Sequence, residues 1–558
     1  MPHHESHRRR DPVHRVAAPP LADRGGAELD VEVTGGTIRG VHEGDLLAWR
    51  GVPFAAPPVG PLRLRAPAPV VAWTGIRDAS GFGPMAPQPG RVHLGAAAVT
   101  QHGEEDCLSA NVHAPADRTA GALPVMVFIH GGGYYRGSSR DFAGQGESFV
   151  RSGRVVYVSF NYRLGALGYL DFTRYSTAER PIDGNLGLRD QVAALEWVRQ
   201  NISAFGGDPA RVTVFGESAG GNAVTTLLAV PAARGLFHGA IAQSAPANAV
   251  YPAALAGRWA AEFVALLRDG SRRGRPGPAT RSSPSPDAVG EPGIDRVLDA
   301  SLPALLAAAH QLQERTPEAY PGAFCFAPVV DGDFLPERPI AAIRGGRAAR
   351  VPLIIGTNEH EGRIFRGELD ILPATVVRMK ALFQRAPAET RGPMRDAYPG
   401  LPRWRAAADF GGDYGFWYPT TRVADFHSHF APVHAYRFDV TPRFLRMVGL
   451  DATHGVEMFT LFDSVHEPLA RTFTSLGGRA SYIQAGVRMR RRWLRFAETG
   501  GTHASWPAYT QKTRATLIID DHDRVQADPH HDRRRAWDGF LPELGGRPGP
   551  PPAPETPA

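Results

Sequence analysis

The sequence predicts an α/β protein built on a doubly wound, mostly parallel sheet. Three observations predict it. Short continuous apolar runs, such as Val125-Met126-Val127-Phe128-Ile129, read as strands buried on both faces, the pattern of a parallel sheet. Other stretches carry apolar residues at helical spacing; Leu188, Val192, Leu195 and Val198 mark one helix that packs on such a sheet. The two kinds of segment alternate along the chain, as βαβ units require.

Each element follows in order. Residues 1–27 are rich in His, Arg and Pro without periodicity and read as a disordered tail. Order begins at Leu29-Asp30-Val31-Glu32-Val33, an alternating strand closed by Gly35-Gly36, with Thr37-Ile38-Arg39-Gly40-Val41 as its hairpin partner. The stretch from Trp49 to Leu64 carries four prolines and is expected to be an ordered surface loop. Glu104-Glu105-Asp106-Cys107-Leu108-Ser109-Ala110-Asn111-Val112 leads into a strand. Strands follow at residues 125–130, 155–160, 212–215, 239–244, 351–356, 434–440 and 516–520, those at 125–130, 155–160, 212–215 and 351–356 of the buried type. Residues 271–293 are rich in Arg, Pro, Ser and Gly, a flexible insertion within one domain rather than a boundary. Residues 366–430 read as largely helical, with aromatics Phe383, Phe410, Tyr414, Phe416, Trp417 and Tyr418. The tail at 545–558 is Pro-rich and expected to be disordered, so residues 28–544 are expected to form one domain.

Composition excludes several classes of function. The chain carries a net charge of +6, but its basic residues are nearly all arginine, a coding bias more than a binding surface. Its basic clusters, such as His7-Arg8-Arg9-Arg10 and Arg533-Arg534-Arg535, are small and read as solvated faces and tails, so no nucleic-acid partner is expected. No run approaches the roughly 18 apolar residues that cross a bilayer, so no membrane partner is expected. Two cysteines, Cys107 and Cys325, make no disulfide framework, and no apolar leader follows the N-terminal arginines. A cytoplasmic location and a monomeric state are expected.

The chemistry centres on Val212-Thr213-Val214-Phe215-Gly216-Glu217-Ser218-Ala219-Gly220-Gly221, a short strand, an abrupt turn and a helix-compatible run. Glycines flank Ser218 in the pattern G-x-S-x-G. A nucleophile at the tip of a tight strand-to-helix turn needs neighbours without side chains, and its hydroxyl then stands at a helix N-terminus that favours developing negative charge. Alone the pattern is a weak signal, and the simpler reading is a Gly-rich turn with a solvated serine. The flanking strand and helix argue against that. A second feature is Gly131-Gly132-Gly133, opened by His130 directly after a buried-type strand; such a loop brings backbone N–H groups close to a substrate oxygen. The third is order along the chain: Glu361 and His454 lie in loop positions beyond Ser218, acid before base. Asp331 and Glu359 compete with Glu361 for the acid's place. Glu217 is expected to point into the protein in a structural role.

These stretches together resemble the type-B carboxylesterase family, the α/β-hydrolase group that includes para-nitrobenzyl esterases and cholinesterases. The resemblance rests also on Phe54-Ala55-Ala56-Pro57-Pro58-Val59-Gly60, Glu105-Asp106-Cys107-Leu108, Gly184-Asn185-Leu186-Gly187-Leu188-Arg189-Asp190-Gln191, Phe205-Gly206-Gly207-Asp208-Pro209, Gln243-Ser244, Pro328-Val329-Val330-Asp331-Gly332 and Trp506-Pro507-Ala508-Tyr509. It implies a bacterial serine carboxylesterase of α/β-hydrolase fold, with helical insertions around a substrate gorge, acting on small-molecule esters without metal or cofactor. It implies Ser218 as nucleophile, His454 as base, Glu361 as the acid that orients it, and the N–H groups of Gly132, Gly133 and Ala219 as the oxyanion hole. Ser244 matches a supporting serine near the acid, and Arg63 with Glu105 a structural ion pair. Many relatives pair the cysteine matching Cys107 with another upstream; here that place holds Ala86, so a free, buried thiol is expected. The residues from Phe410 to Tyr418, with Tyr134 and Tyr135, are expected to line the gorge. Alternatives are a non-catalytic binding protein on the same fold, or an amide, carbamate or lactone hydrolase.

Overall fold

A computed structural model describes residues 29–90, 101–117, 121–141, 145–272, 294–366, 370–542 and 544. The two expected tails, and residues 273–293 of the expected insertion, lie outside the described residues; Arg272 closes the helix Ala253–Arg272 just before them.

The centre is one large sheet, eleven strands wide among the described residues. In chain order these are β1 (Val41–Glu43), β2 (Leu46–Pro53), β3 (Ser109–Pro115), β4 (Leu123–Ile129), β5 (Val156–Phe160), β6 (Gly207–Glu217), β7 (Gly239–Gln243), β8 (Leu353–Asn358), β9 (Val433–Phe438), β10 (Ala515–Ile519) and β11 (Arg524–Ala527). In space they run β11-β10-β9-β8-β7-β6-β4-β5-β3-β2-β1. The seven strands from β10 to β5 are mutually parallel, and antiparallel strands finish both edges. The hairpin Asp30–Val33 with Gly36–Arg39 pairs as its alternation predicts, Val31 opposite Ile38.

The apolar runs are strands because both faces are covered. On β4, Val125, Val127 and Ile129 enter one core cluster while Met126 and Phe128 enter another. On β8 the same split sends Leu353 and Ile355 one way and Ile354 the other. Helix α1 (Leu186–Asn201) buries Leu188, Val192, Leu195 and Val198 against the first cluster, at the spacing the sequence showed.

The surface loop expected from Trp49 to Leu64 is half strand. Residues 49–53 finish β2, Trp49 is fully buried, and Val52 pairs with Ala110. The three prolines from Pro57 onward break the chain only after Pro53, and Gly51 at φ 64° absorbs a bulge between Trp49 and Val52.

The topology positions the site. The chain passes from β4 outward to β5, then returns to lay β6 on the other side of β4. The strand order therefore reverses between β4 and β6. In an open parallel sheet the crevice outside such a reversal, at the carboxyl ends of the strands, is where ligands bind. The glycine loop leaves β4 at that point and Ser218 leaves β6 beside it.

Candidate active site

β6 ends at Glu217, Ser218 takes φ 58° and ψ −122°, and α2 (Ala219–Leu227) begins at the next residue. A non-glycine residue at positive φ costs of order 1–3 kcal/mol and persists where the surroundings fix it. Here they do: Ser218 N–H donates to Gln243 O at 3.0 Å, and Ser218 O accepts from Asn222 N at 2.9 Å. The flanking glycines are steric requirements, since a Cβ on Gly220 would lie 2.0 Å from Ile129 O.

The glycine loop sits against this elbow. A Cβ on Gly131 would come 3.2 Å from Ser218 Cβ, so the two turns touch. Gly132 has φ 103°, and its carbonyl accepts from Tyr135 N and Arg136 N. Among the described residues the N–H groups of Gly132, Gly133 and Ala219 donate to no backbone acceptor, which leaves them free for a ligand. His130 braces the loop. It stacks on Tyr162 at 4.3 Å, and burial pushes its pKa down, so neutral Nδ1–H donates to Gly131 O at 3.0 Å.

Glu361 lies in a single 3-10 turn, Glu361–Ile364, just past β8; His454 lies on the long connection after β9. The two meet: His454 Nδ1 and Glu361 Oε2 are 2.6 Å apart. The other oxygen of Glu361 accepts from Ser244 Oγ at 2.6 Å and Asn358 N at 2.7 Å. A Cβ on Gly362 would lie 1.8 Å from Ala408 O, so only glycine lets the acid's turn dock on helix α3 (Trp404–Gly412). Asp331 and Glu359 stand elsewhere: Asp331 accepts from Asn185, and Glu359 pairs with His360 and Arg437.

Ser218 does not complete the chain of contacts in this structure. Its hydroxyl makes no hydrogen bond to His454 or to any other described residue. His454 Nε2 instead stands 3.2 Å from Glu217 Oε1, off the hydrogen-bonding direction, so that oxygen is buried without a partner. Glu217 therefore faces the site rather than serving the inward structural role expected of it. A third carboxyl, Glu457, comes from α4 (Val456–Leu461), accepts from Asn358 Nδ2 at 2.6 Å and is fully buried. Burial, with repulsion from Glu361 and against the pull of His454, pushes Glu217 up to about 7; burial, with repulsion from Glu217 and Glu361, pushes Glu457 up to about 8. Burial works against a charged His454, yet Glu217 and Glu361 overcome it and raise the imidazole to about 9. Sequence reasoning assigned no role to Glu457 or Asn358; the signal available was the i, i+3 spacing of His454 and Glu457.

A pocket of about 400 Å³ opens beside Glu217 and His454, lined also by Gly131 and Gly132 and walled by Phe459, Leu469 and Phe473; Ser218, Glu361 and Glu457 are not part of its lining. That volume lies in the range of small-molecule sites. The expected aromatic lining is mostly core. Phe410 packs on Trp537, Tyr134 hydrogen-bonds Asn222, and Tyr135 stacks on Phe326. Phe416 does reach the site, its ring 4.4 Å from the His454 imidazole, with Phe365 stacked on it at 5.5 Å. No group of three or more metal-ligating side chains occurs among the described residues. None of their helices is long and apolar enough to cross a membrane. Cys107 and Cys325 are free and buried, and the Arg63–Glu105 pair is formed, with Nε to Oε2 at 2.8 Å.

A strained serine between a parallel strand and a helix, beside a glycine loop at the strand-order reversal, defines an α/β-hydrolase. Residues 27–386 match the carboxylesterase family, and the chain belongs to it. It is 36% identical over 506 residues to the para-nitrobenzyl esterase of Bacillus subtilis (strain 168), covering 90% of this chain and 96% of that one. It is 33% identical over 502 residues to the phenmedipham hydrolase of Pseudarthrobacter oxydans, covering 88% and 94%. A solved thermophilic PNB esterase superposes with a TM-score of 0.77 at 34% identity, covering 91% of this chain and 99% of its own. The protein is a carboxylic ester hydrolase acting on small-molecule esters.

Proposed function

We propose that Ser218, His454 and Glu361 form the catalytic triad and that hydrolysis passes through an acyl-enzyme on Ser218. Ser218 Oγ attacks the ester carbonyl and His454 Nε2 takes its proton. The carbonyl oxygen, now negative, receives N–H groups from Gly132, Gly133 and Ala219, each worth about 2.7–4 kcal/mol in the transition state. The imidazolium then protonates the departing alkoxide oxygen, which leaves as the alcohol. Water, deprotonated by the same imidazole, releases the acid and restores Ser218. Glu361 holds the tautomer with hydrogen on Nδ1 and stabilises the imidazolium, while Ser244 and the Asn358 amide hold Glu361.

The observation that carries this reading is the 2.6 Å contact between His454 Nδ1 and Glu361, beside a strained serine at the sheet's ligand crevice. Nε2 must turn from Glu217 toward Ser218, and catalytic hydrogen bonds commonly tighten only once substrate is bound. The apolar wall of Phe459, Leu469 and Phe473 favours uncharged esters. Two free buried thiols fit a reducing, cytoplasmic setting in a bacterium. One catalytic domain over residues 28–544, working as a monomer, completes the reading; one sheet spans residues 41–527.

The test is covalent labelling. An organophosphate should phosphorylate Ser218 stoichiometrically, and Ser218→Ala should lose both the label and roughly 10⁴–10⁶-fold in kcat while remaining folded. A Ser218→Ala enzyme of near-normal rate ends the assignment. Nitrophenyl esters of rising acyl length, run beside an amide, a carbamate and a lactone, define the substrate range.

A further inference from the structure

We infer that Arg363 is a positioning residue that sets the spacing between Glu361 and His454 by clamping the turn that carries the acid to the loop that carries the base. The inference rests on the triad reading above and extends it to a residue that touches neither substrate nor imidazole.

Arg363 sits two residues past Glu361 in the same 3-10 turn, with 7% of its surface exposed. Its guanidinium forks onto Asp409 of α3, Nε to Oδ1 at 2.9 Å and Nη2 to Oδ2 at 3.0 Å. The remaining nitrogen, Nη1, bonds Asp451, three residues before His454. One cation thus joins the acid's turn, the helix beneath it and the base's loop. The planar fork of arginine suits this; a lysine ammonium cannot grip one carboxylate with two parallel bonds and a second with a third. Two further bonds run alongside, His360 N to Ala452 O at 2.9 Å and Ile364 N to Thr453 Oγ1 at 2.9 Å. Asp409 is itself held in its charged form. Burial opposes its charge, but hydrogen bonds from His360 and Arg363 outweigh that and bring its pKa down to about 2.

The clamp matters because a misplacement of about 1 Å between catalytic groups costs on the order of 10²-fold in rate. The acid and base come from connections after different strands, and the sheet alone fixes neither loop.

The test is Asp451→Asn. Asparagine tolerates the φ of 51° at this position at least as well as aspartate, and Arg363 keeps its fork on Asp409, so no buried charge is orphaned. Arg363→Lys is the second variant. Rates are expressed per organophosphate-titrated Ser218, which removes any unfolded fraction. The proton between His454 Nδ1 and Glu361 is followed as a low-field NMR resonance. The clamp predicts a kcat lowered about 10- to 100-fold with KM little changed, together with a shifted or lost resonance, in both variants. A wild-type kcat per titrated site in both overturns it. So does a lowered kcat with the resonance unmoved, since the effect then does not pass through the Glu361–His454 pair. Failure of the wild-type enzyme to titrate at Ser218 sinks the triad reading instead, a result distinct from either.

Discussion

Glu217→Gln isolates the charge that crowds the imidazole. Glu217 Oε1 lies 3.2 Å from His454 Nε2, and an opposite charge at that range typically raises the imidazole by about 1–3 pKa units. The carboxyls and other titratable groups around Glu217 and Glu457 are Glu361, His454, Tyr436 and Tyr482. The neutral imidazole is the working base. With the imidazole raised to about 9, its neutral form at pH 7 is a small minority, and kcat/KM should climb with pH until it passes that value. Glutamine keeps the shape and removes the charge. The acid limb of kcat/KM should then move to lower pH by about 1–3 units, and the rate at pH 7 should rise relative to the variant's own plateau. The assay is kcat/KM for an uncharged nitrophenyl ester between about pH 5 and 10, with sites counted by organophosphate titration. Superimposable profiles, or an acid limb displaced upward, refute the claim that Glu217 sets the basicity of His454.

Other outcomes follow from the same geometry. Glu361→Gln should lower kcat about 10⁴-fold by losing the favoured tautomer, as measured at saturating ester. Gly362→Ala places a Cβ 1.8 Å from Ala408 O and should cost about 1–3 kcal/mol of stability, read as a lowered Tm, with loss of activity because the acid's turn is displaced. The two cysteines should react with a thiol reagent only after denaturation, since burial raises both thiols; rapid reaction in the native state would contradict their burial.

The parts of this fold that sequence revealed are those where one local cause dominates. Both-face burial makes Val125 to Ile129 continuously apolar, and crowding at Ser218 admits only glycine at residues 216 and 220. Where two causes meet, the local pattern misleads. The prolines after Pro53 dominate the composition of the stretch, so Trp49 to Pro53, a strand, carries the signature of a loop. Glu217 illustrates a different limit. Strand alternation places it on the same face as Phe215, but nothing local says that the helix after His454 covers that face. The Asp409–Arg363–Asp451 link was equally invisible, because it joins three segments that only the sheet brings together.

The electrostatics of the site turn on where one proton rests. Three carboxyls, Glu217, Glu361 and Glu457, surround one imidazole in a buried space that disfavours three negative charges. Hydrogen-bond donors decide which of them is best served. Glu361 receives Ser244, the Asn358 amide and His454; Glu457 receives the side chains of Asn358 and, at 3.4 Å, Gln243. Glu217 Oε1 receives none, and its only compensation is the nearby imidazole. A proton on Glu217 leaves Nε2 free to turn to Ser218, whereas a proton on Nε2 binds the imidazole to Glu217 and spends the base. The same carboxylate that makes His454 a stronger base therefore competes with Ser218 for it. Glu217→Gln is the fixed equivalent of the protonated acid, so a variant more active than wild type at neutral pH would mean that the native site spends most of its time with the proton on the imidazole.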